Sequence, residues 1–246
     1  MTRLFMENEE PREGFITLGS DDSRYISQVL RMRPGEELTV VLKDGIEALC
    51  EVSDITRDAV TLSVKKTRQN VSEPPFGITL YQSISKGERM ELTIQKCVEL
   101  GVTKIVPVYS ARCVVRPDSK KDASRAQRWQ KIALEAARQS GRGIIPEVTE
   151  PVDVKEALVD AGSADVVLFP WEGERSVTLK QALSDKTAEG IRDIAVFIGP
   201  EGGYEDAEVE AAKEAGAIPV TIGKRILRTE TAGAAVLAML LYQYEL

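Results

Sequence analysis

Apolar and polar residues alternate in short runs through the first part of the chain. Leu38–Leu42 and Glu47–Val52 read as two strands. Between them, Lys43-Asp44-Gly45-Ile46 carries the Asp-Gly signal of a tight hairpin. Ala59–Lys65 alternates as a third strand, and no long helix is predicted before about Lys86. Val71-Ser72-Glu73-Pro74-Pro75 reads as a linker, because paired prolines resist both helix and sheet.

Beyond the linker the period changes. Ile78–Ile84, Lys104–Tyr109, Val166–Phe169, Ile194–Ile198 and Ile218–Ile222 read as strands. Gly87–Leu100, Arg125–Ser140, Asp206–Ala215 and Thr231–Tyr244 read as helices, the first three ended by Gly101, Gly141 and Gly216. The pattern predicts an antiparallel β domain over 1–70, a linker over 71–77 and an α/β domain over 78–246. The alternation of strand and helix implies a mostly parallel sheet covered on both faces.

Composition narrows the chemistry. The 246 residues are 43% hydrophobic and 29% charged, which suits a folded chain with a real core. The start lacks the basic-then-apolar pattern of a signal peptide, and the longest apolar run, Ala232–Tyr242, is too short to span a bilayer. A cytoplasmic protein is expected. Cys50, Cys97 and Cys113 form no C-x-x-C pair, and the chain contains no histidine, so no metal is expected. The same absence removes Ser-His-Asp triads and imidazole bases. Arg, Lys, Asp, Glu, Tyr, Ser, Thr or a cofactor must carry any reaction.

The net charge of −7 conceals an asymmetry. Residues 84–142 hold 13 Lys+Arg against 6 Asp+Glu (13 − 6 = +7), whereas 145–215 hold 6 against 17 (6 − 17 = −11). In the helix after Arg125, Arg128, Lys131, Arg138 and Arg142 fall within a stripe of roughly 80°, opposite Trp129, Ile132, Ala133, Ala136 and Ala137. A solvated face is the ordinary fate of such charges. A phosphate-binding face is the alternative, favoured because Arg89 and Lys96 repeat the excess on the preceding helix.

Two segments suit a ligand. An apolar strand runs into Phe197-Ile198-Gly199-Pro200-Glu201-Gly202-Gly203-Tyr204, a loop that lets a ligand approach the backbone. It has neither the G-x-G-x-x-G spacing nor a following Gly-Lys-Ser/Thr. Its acid and the Glu205 and Asp206 that open the next helix would repel phosphate, so a neutral or cationic ligand fits better. A tight capped connection is the plain alternative. The second segment, Ile222–Ala232, places Lys224, Arg225 and Arg228 around two apolar residues, unusual in so polar a turn, then offers Thr229-Glu230-Thr231 to cap the last helix. Two loops at neighbouring strand ends would form one crevice at the carboxyl edge of the sheet.

Together these residues resemble the bacterial 16S rRNA uracil-N3 methyltransferase family (the RsmE family) of the SPOUT superfamily. The likeness runs through Arg3 with Phe5, Val29-Leu30-Arg31 with Pro34-Gly35, Lys86-Gly87-Glu88-Arg89-Met90 and Gln95–Val102. It continues through Arg128-Trp129, Glu135–Arg142, Gly199–Gly203 and Arg225–Ala232. The resemblance implies a PUA-like β-barrel before a SPOUT domain with a deep C-terminal trefoil knot, and a homodimer. It implies S-adenosyl-L-methionine held by Phe169, Ile198, Gly199, Pro200, Glu201, Gly202, Gly203, Ile222, Gly223, Arg225, Ile226, Leu227, Thr231 and Ala232. It implies 16S rRNA of the small ribosomal subunit as partner, with Arg3, Arg24, Arg31, Arg33, Lys86, Arg89, Lys96, Arg112, Arg138 and Arg142 as RNA contacts. The product would be N3-methyluridine in the decoding region, at uridine-1498 by the usual rRNA numbering. Many relatives carry histidines near Asp21–Val29, where this chain has none.

For the reaction, an arginine near O2 or O4 would stabilise the uracil anion left when N3 loses its proton. Arg228 is the first candidate and Arg138 the second. Glu201 or Glu230 would position groups or take the proton. Gly202→Val is expected to weaken S-adenosyl-L-methionine binding, because a β-branched side chain would crowd the loop or be incompatible with its backbone angles. Two alternatives stand beside this: a SPOUT enzyme acting on another base or a ribose 2′-OH, and a non-catalytic ribosome-assembly factor.

Overall fold

A computed structural model describes residues 2–6, 11–56 and 59–245, Ala188 by its backbone alone. Met1, Leu246 and the acidic stretch 7–10 of the polar start lie outside the described residues. The chain divides into two compact units: Met1–Glu73 with Ala137–Ile145, and Pro74–Ala136 with Pro146–Leu246. The first therefore takes in a segment, with Arg138 and Arg142, that the pattern assigns to the second domain.

The first unit is built on β1 (Arg3–Phe5), β2 (Phe15–Leu18), β3 (Glu37–Val41), β4 (Ile46–Ile55) and β5 (Val60–Gln69). They form one sheet in the order β1-β3-β4-β5-β2, antiparallel except for β1 on β3. The Asp-Gly signal holds: Asp44 and Gly45 have φ of 56° and 70°, and Leu42 N–H donates to the Ile46 carbonyl at 2.7 Å. A short helix α1 (Ser20–Arg24) and a π-helical turn over Tyr25–Val29, both unforeseen, bury Ile26 on the sheet with Leu38, Val40, Cys50 and Leu62.

One buried carboxylate organises the polar side of this unit. Glu47, 3% exposed, receives Arg3 Nη1 at 2.7 Å, Arg68 Nε at 2.6 Å and Asn70 Nδ2 at 2.7 Å. Burial pushes its carboxyl up, but the hydrogen bonds from Asn70, Arg3 and Arg68 outweigh that and hold it below the usual range.

The second unit contains β6 (Gly77–Ser83), β7 (Lys104–Tyr109), β8 (Glu147–Val148), β9 (Val152–Asp153), β10 (Val166–Pro170), β11 (Asp193–Ile198) and β12 (Ile218–Val220). Six run in the order β12-β10-β11-β6-β7-β8, β9 also pairs with β7, and every pairing is parallel. The helices are α2 (Arg89–Glu99), α3 (Ser119–Ser140), α4 (Val154–Ala161), α5 (Leu179–Ala182), α6 (Asp206–Glu214) and α7 (Thr229–Tyr244). Tyr81, Phe169 and Phe197 face one side of the sheet with residues of α4 and α6. On the other side Gly233 of α7 lies so close to Leu80, Gln82 and Cys97 that a Cβ there would sit 3.3 Å from the Cys97 sulfur.

The glycine stops act as predicted. Gly101, Gly141 and Gly216 have φ of 85°, 78° and 87°. The next residue of each donates back five positions, Val102 to Cys97, Arg142 to Ala137 and Ala217 to Ala212, each within 3.0 Å. Helix α3 begins six residues before the apolar pattern shows it, because Ser119–Ser124 is polar. Its first turns are tied instead by Tyr109, whose hydroxyl donates to Asp122 at 2.6 Å and accepts from Arg125 at 2.9 Å. Among the described residues no helix is long and apolar enough to cross a membrane.

Candidate active site

Because β10, β11 and β12 are parallel, their carboxyl ends lie at one edge, and three loops meet there. The loops are 170–178, 199–203 and 221–228, and with Thr229 and Ala232 of α7 they line a pocket of about 450 Å³. That is the size of a small-molecule site at such an edge.

Each loop is held by named bonds. Trp171 N–H donates to the Val220 carbonyl at 3.1 Å, and Thr221 N–H to that of Val177 at 2.8 Å. Glu174 accepts from the Ser176 hydroxyl and amide and the Val177 amide, and these bonds hold its carboxyl at about 2. In the glycine loop, Gly203 N–H closes a turn on the Pro200 carbonyl at 3.0 Å, and Arg112 Nη1 donates to the Gly202 carbonyl at 3.0 Å. Glu201 accepts from Arg89 Nη1 at 2.7 Å and from Lys86 N–H at 3.2 Å. Burial raises its carboxyl, but its own amide, Arg89 and Lys86 together hold it below the usual value.

Several expected ligand residues do line the pocket: Ile198, Gly199, Pro200, Gly203, Ile222, Gly223, Arg225, Ile226, Leu227 and Ala232. Four do not. Phe169 is fully buried, 4.4 Å from the Tyr204 ring and 5.6 Å from that of Phe197, so the pocket starts one residue later. Glu201 is bound to Arg89, Gly202 backs onto Arg112, and Thr231 is exposed outside the lining. The strained backbone is at Gly203, with φ of 68°, not at Gly202. Thr229 is not a cap either. Arg228 occupies the N-cap, and the Thr229 hydroxyl points back to the Gly199 carbonyl.

The pattern missed the loop after β10, which brings Trp171, Glu172, Glu174, Arg175 and Thr178 into the pocket. The available signal was Pro170-Trp171-Glu172-Gly173-Glu174 directly after an apolar strand. A Cβ on Gly203 would run into the Glu172 carboxylate. Arg228 lies outside the lining, 79% exposed, with Nη1 4.0 Å from Glu230.

The cationic segment is largely neutralised in space. Arg89 pairs with Glu201, Lys96 with Glu99, Lys104 with Asp160, Arg112 with Glu205 and Arg128 with Glu91. Three of these partners come from the acidic stretch. Arg142 leaves the expected stripe altogether: the turn at Gly141 ends α3 and sends it inward, 2% exposed, onto Glu73 at 2.6 Å. Arg3 is likewise internal, 11% exposed on Glu47 and donating to the Arg142 carbonyl. Neither reaches a phosphate from there. Arg138 lies over the Tyr25 ring at 4.8 Å. Arg24, Arg31 and Arg33 of the first unit and Lys86 of the second are exposed, and Arg31 has the rare φ of 54°. No cluster of metal-binding side chains occurs among the described residues.

Residues 72–241 match the RNA methyltransferase domain family, and residues 18–65 the RNA methyltransferase PUA domain family. The chain is 33% identical over 234 residues to ribosomal RNA small subunit methyltransferase E of Bacillus subtilis, covering 94% of this chain and 91% of that one. The chain belongs to the ribosomal RNA small subunit methyltransferase E family. The crystal structure of a family member from Neisseria gonorrhoeae bound to S-adenosyl methionine has 35% identity and a TM-score of 0.87, covering 99% of this chain and 98% of that one. A Legionella pneumophila protein in complex with the cofactor SAM has 32% identity and a TM-score of 0.85, covering 98% and 97%.

The glycine geometry makes a separable prediction. Gly203→Ala forces a side chain into a left-handed backbone and against Glu172, and should destabilise the second unit by about 1–2 kcal/mol. Gly202→Ala keeps an ordinary backbone and meets Arg112 at its Cβ, 3.3 Å away, and its carbonyl, 3.8 Å away, so a shift of a few tenths of an ångström relieves it and it should cost distinctly less. Chemical denaturation of both variants checks the order; equal losses would mean that the backbone at Gly203 is not the constraint.

Proposed function

We propose that this chain binds S-adenosyl-L-methionine in the three-loop pocket and methylates N3 of one uridine, uridine-1498, in the decoding region of 16S rRNA on the small ribosomal subunit. The observation that carries the reading is the pocket at the carboxyl edge of β10, β11 and β12. One wall is a glycine loop closed to side chains, and Glu172 and Glu174 stand opposite. Backbone without side chains suits a flat adenosine, and carboxylates suit a cationic ligand. Gly199, Pro200, Gly203 and Ile222–Leu227 would hold the nucleoside, with Glu172 towards the charged end. When bound, that cofactor supplies an electrophilic methyl group on a sulfonium sulfur.

The chain's part is to orient the base and stabilise charge. The uracil N3 proton must leave before N3 is a good nucleophile, and in this reading Arg228, exposed beside the pocket at the N-cap of α7, stabilises the resulting anion. Glu201 is a poor proton acceptor, since Arg89 and the Lys86 amide already hold it ionised. Glu230, beside Arg228, takes that role in this reading. N3 lies on the pairing edge, so the base must be splayed out to react. Arg24, Arg31, Arg33 and Lys86 serve the RNA, and the reaction belongs to the cytoplasm, where small subunits are.

The family's trefoil knot and homodimer belong to the same reading. The knot is supported by β10 lying between β12 and β11 and by Thr229 bonding under Gly199; the chain path over 170–246 in an experimental map is its check. The dimer is supported by α7. One face buries Gly233, Val236, Leu237 and Leu240, while Met239 is 39% and Tyr242 76% exposed, with Leu92 of α2 at 43%. A second copy would cover that face.

Methyl transfer to small subunits from a strain lacking this modification should yield 3-methyluridine at a single position by nucleoside mass spectrometry. A methylated ribose or another base would replace the reading with that of a sister enzyme, and no cofactor binding with that of an assembly factor. Arg228→Ala should lower kcat about 100-fold and leave cofactor affinity within about twofold; unchanged kcat would remove Arg228 from the chemistry. Replacing Arg24, Arg31 and Arg33 together with Ala should reduce the slope of log affinity against log salt by about 2. An unaltered slope would place the RNA surface elsewhere. Light scattering at micromolar concentration should give twice the chain mass, and a fully active single-chain mass would overturn the dimer.

A further inference from the structure

A buried amide behind the pocket and a buried hydroxyl at its wall form a short chain of hydrogen bonds. Gln82, on the central strand β6, is fully buried, and Thr229, in the first turn of α7, is 6% exposed. Gln82 Nε2 donates to the Ser83 carbonyl at 3.1 Å and to Thr229 Oγ1 at 2.9 Å. The amide orientation follows from this, because a carbonyl can only accept and so must face nitrogen. With both N–H groups used, the hydroxyl of Thr229 accepts from Gln82. Its single proton is directed to the Gly199 carbonyl, 2.7 Å away.

The chain of bonds therefore has one direction: strand β6 to helix α7 to the glycine loop. Its last acceptor immediately precedes Pro200, whose carbonyl closes the Pro200–Gly203 turn. Both Gly199 and Pro200 line the pocket. Gly233, one turn further along α7, packs beside the same amide: a Cβ there would stand in ordinary contact, 3.6 Å from Gln82 Oε1. Nothing about capping requires the arrangement, because Arg228 is the N-cap and Thr229 bonds away from the helix.

We infer that Gln82 and Thr229 are positioning residues. They fix the Gly199 carbonyl, and through it the wall that receives S-adenosyl-L-methionine, to the centre of the sheet. Losing the hydroxyl leaves a half-buried carbonyl without its donor, and the loop relieves that loss by turning the Gly199 peptide away from the bound geometry. The inference rests on the ligand assigned above, but the bond chain is testable without it.

The test compares Thr229→Val, Thr229→Ser and Gln82→Met with the wild-type chain. Amide hydrogen exchange without ligand reads the Gly203 N–H that donates to Pro200. Calorimetry reads the affinity for S-adenosyl-L-methionine, and steady-state assays separate KM from kcat. Thr229→Val should raise both the Gly203 exchange rate and the Kd about tenfold, with KM for the cofactor rising more than kcat falls. Thr229→Ser, which keeps the hydroxyl, should restore both. Gln82→Met, which keeps the volume and removes the amide, should move them in the same direction by a smaller factor.

Wild-type exchange and affinity in a folded Thr229→Val would overturn the inference. So would a Thr229→Ser as impaired as Thr229→Val, since the hydroxyl would then not be the operative group. If Thr229→Val does not fold, Thr229→Ser and Gln82→Met decide: an undisturbed Gln82→Met overturns the relay. A wild-type chain that binds no S-adenosyl-L-methionine, in variants whose Gly203 exchange still shifts as stated, would remove the ligand assignment and leave the relay standing.

Discussion

Parallel pairing of β11 between β6 and β10 is the constraint on which the functional half of this molecule depends. It places every strand's carboxyl end on one edge, so loops that a helix and a strand separate in sequence become neighbours. The edge alone would leave three independent loops with polar backbone to satisfy. They are joined instead by bonds between loops, Trp171 to Val220, Thr221 to Val177 and Thr229 to Gly199. The pocket is thus a property of the sheet's direction together with a few buried polar contacts that only that direction permits.

Charge shows the opposite relation between sequence and structure. Summed along the chain, 84–142 is cationic and 145–215 anionic. Folding brings Arg89 to Glu201, Arg112 to Glu205 and Lys104 to Asp160. Much of the asymmetry is spent inside the second unit, and the cations left for nucleic acid are fewer than a linear count implies. Exposed pairs of this kind contribute little stability, about 0–1 kcal/mol each. Their effect here is placement, with Glu201 drawn away from the pocket and onto α2.

The parts legible in the sequence are those fixed by local geometry. The Asp44-Gly45 hairpin, the three glycine helix stops and the strand runs of the larger unit depend on residues close in sequence, and the structure has them within a few positions. The first turns of α3 were hidden because Asp122 and Arg125 are held by Tyr109 rather than by an apolar stripe. The helix at Ser20–Arg24 and the pocket loop at Trp171–Thr178 were hidden because neither has a period. Arg142 misled for a related reason: helical spacing put it on a basic stripe, but the helix ends at Ser140. In the candidate site, the glycine loop and Ile222–Leu227 were readable from composition. Which glycine is strained, and which way Thr229 points, depend on neighbours distant in the chain.

The scattered origin of the pocket links occupancy to folding. Its walls come from residues 170–178, 199–204, 220–227 and the start of α7. An unfolded chain therefore holds no partial version of the site. Whatever fills the pocket binds the native state alone, and at a concentration 100 times its Kd it adds about 2.7 kcal/mol to the unfolding free energy. In a chain of marginal stability that is a substantial fraction of the whole. The molecule would then resist heat and proteases best while charged with its small ligand, so the supply of that ligand would help set how long each copy lasts.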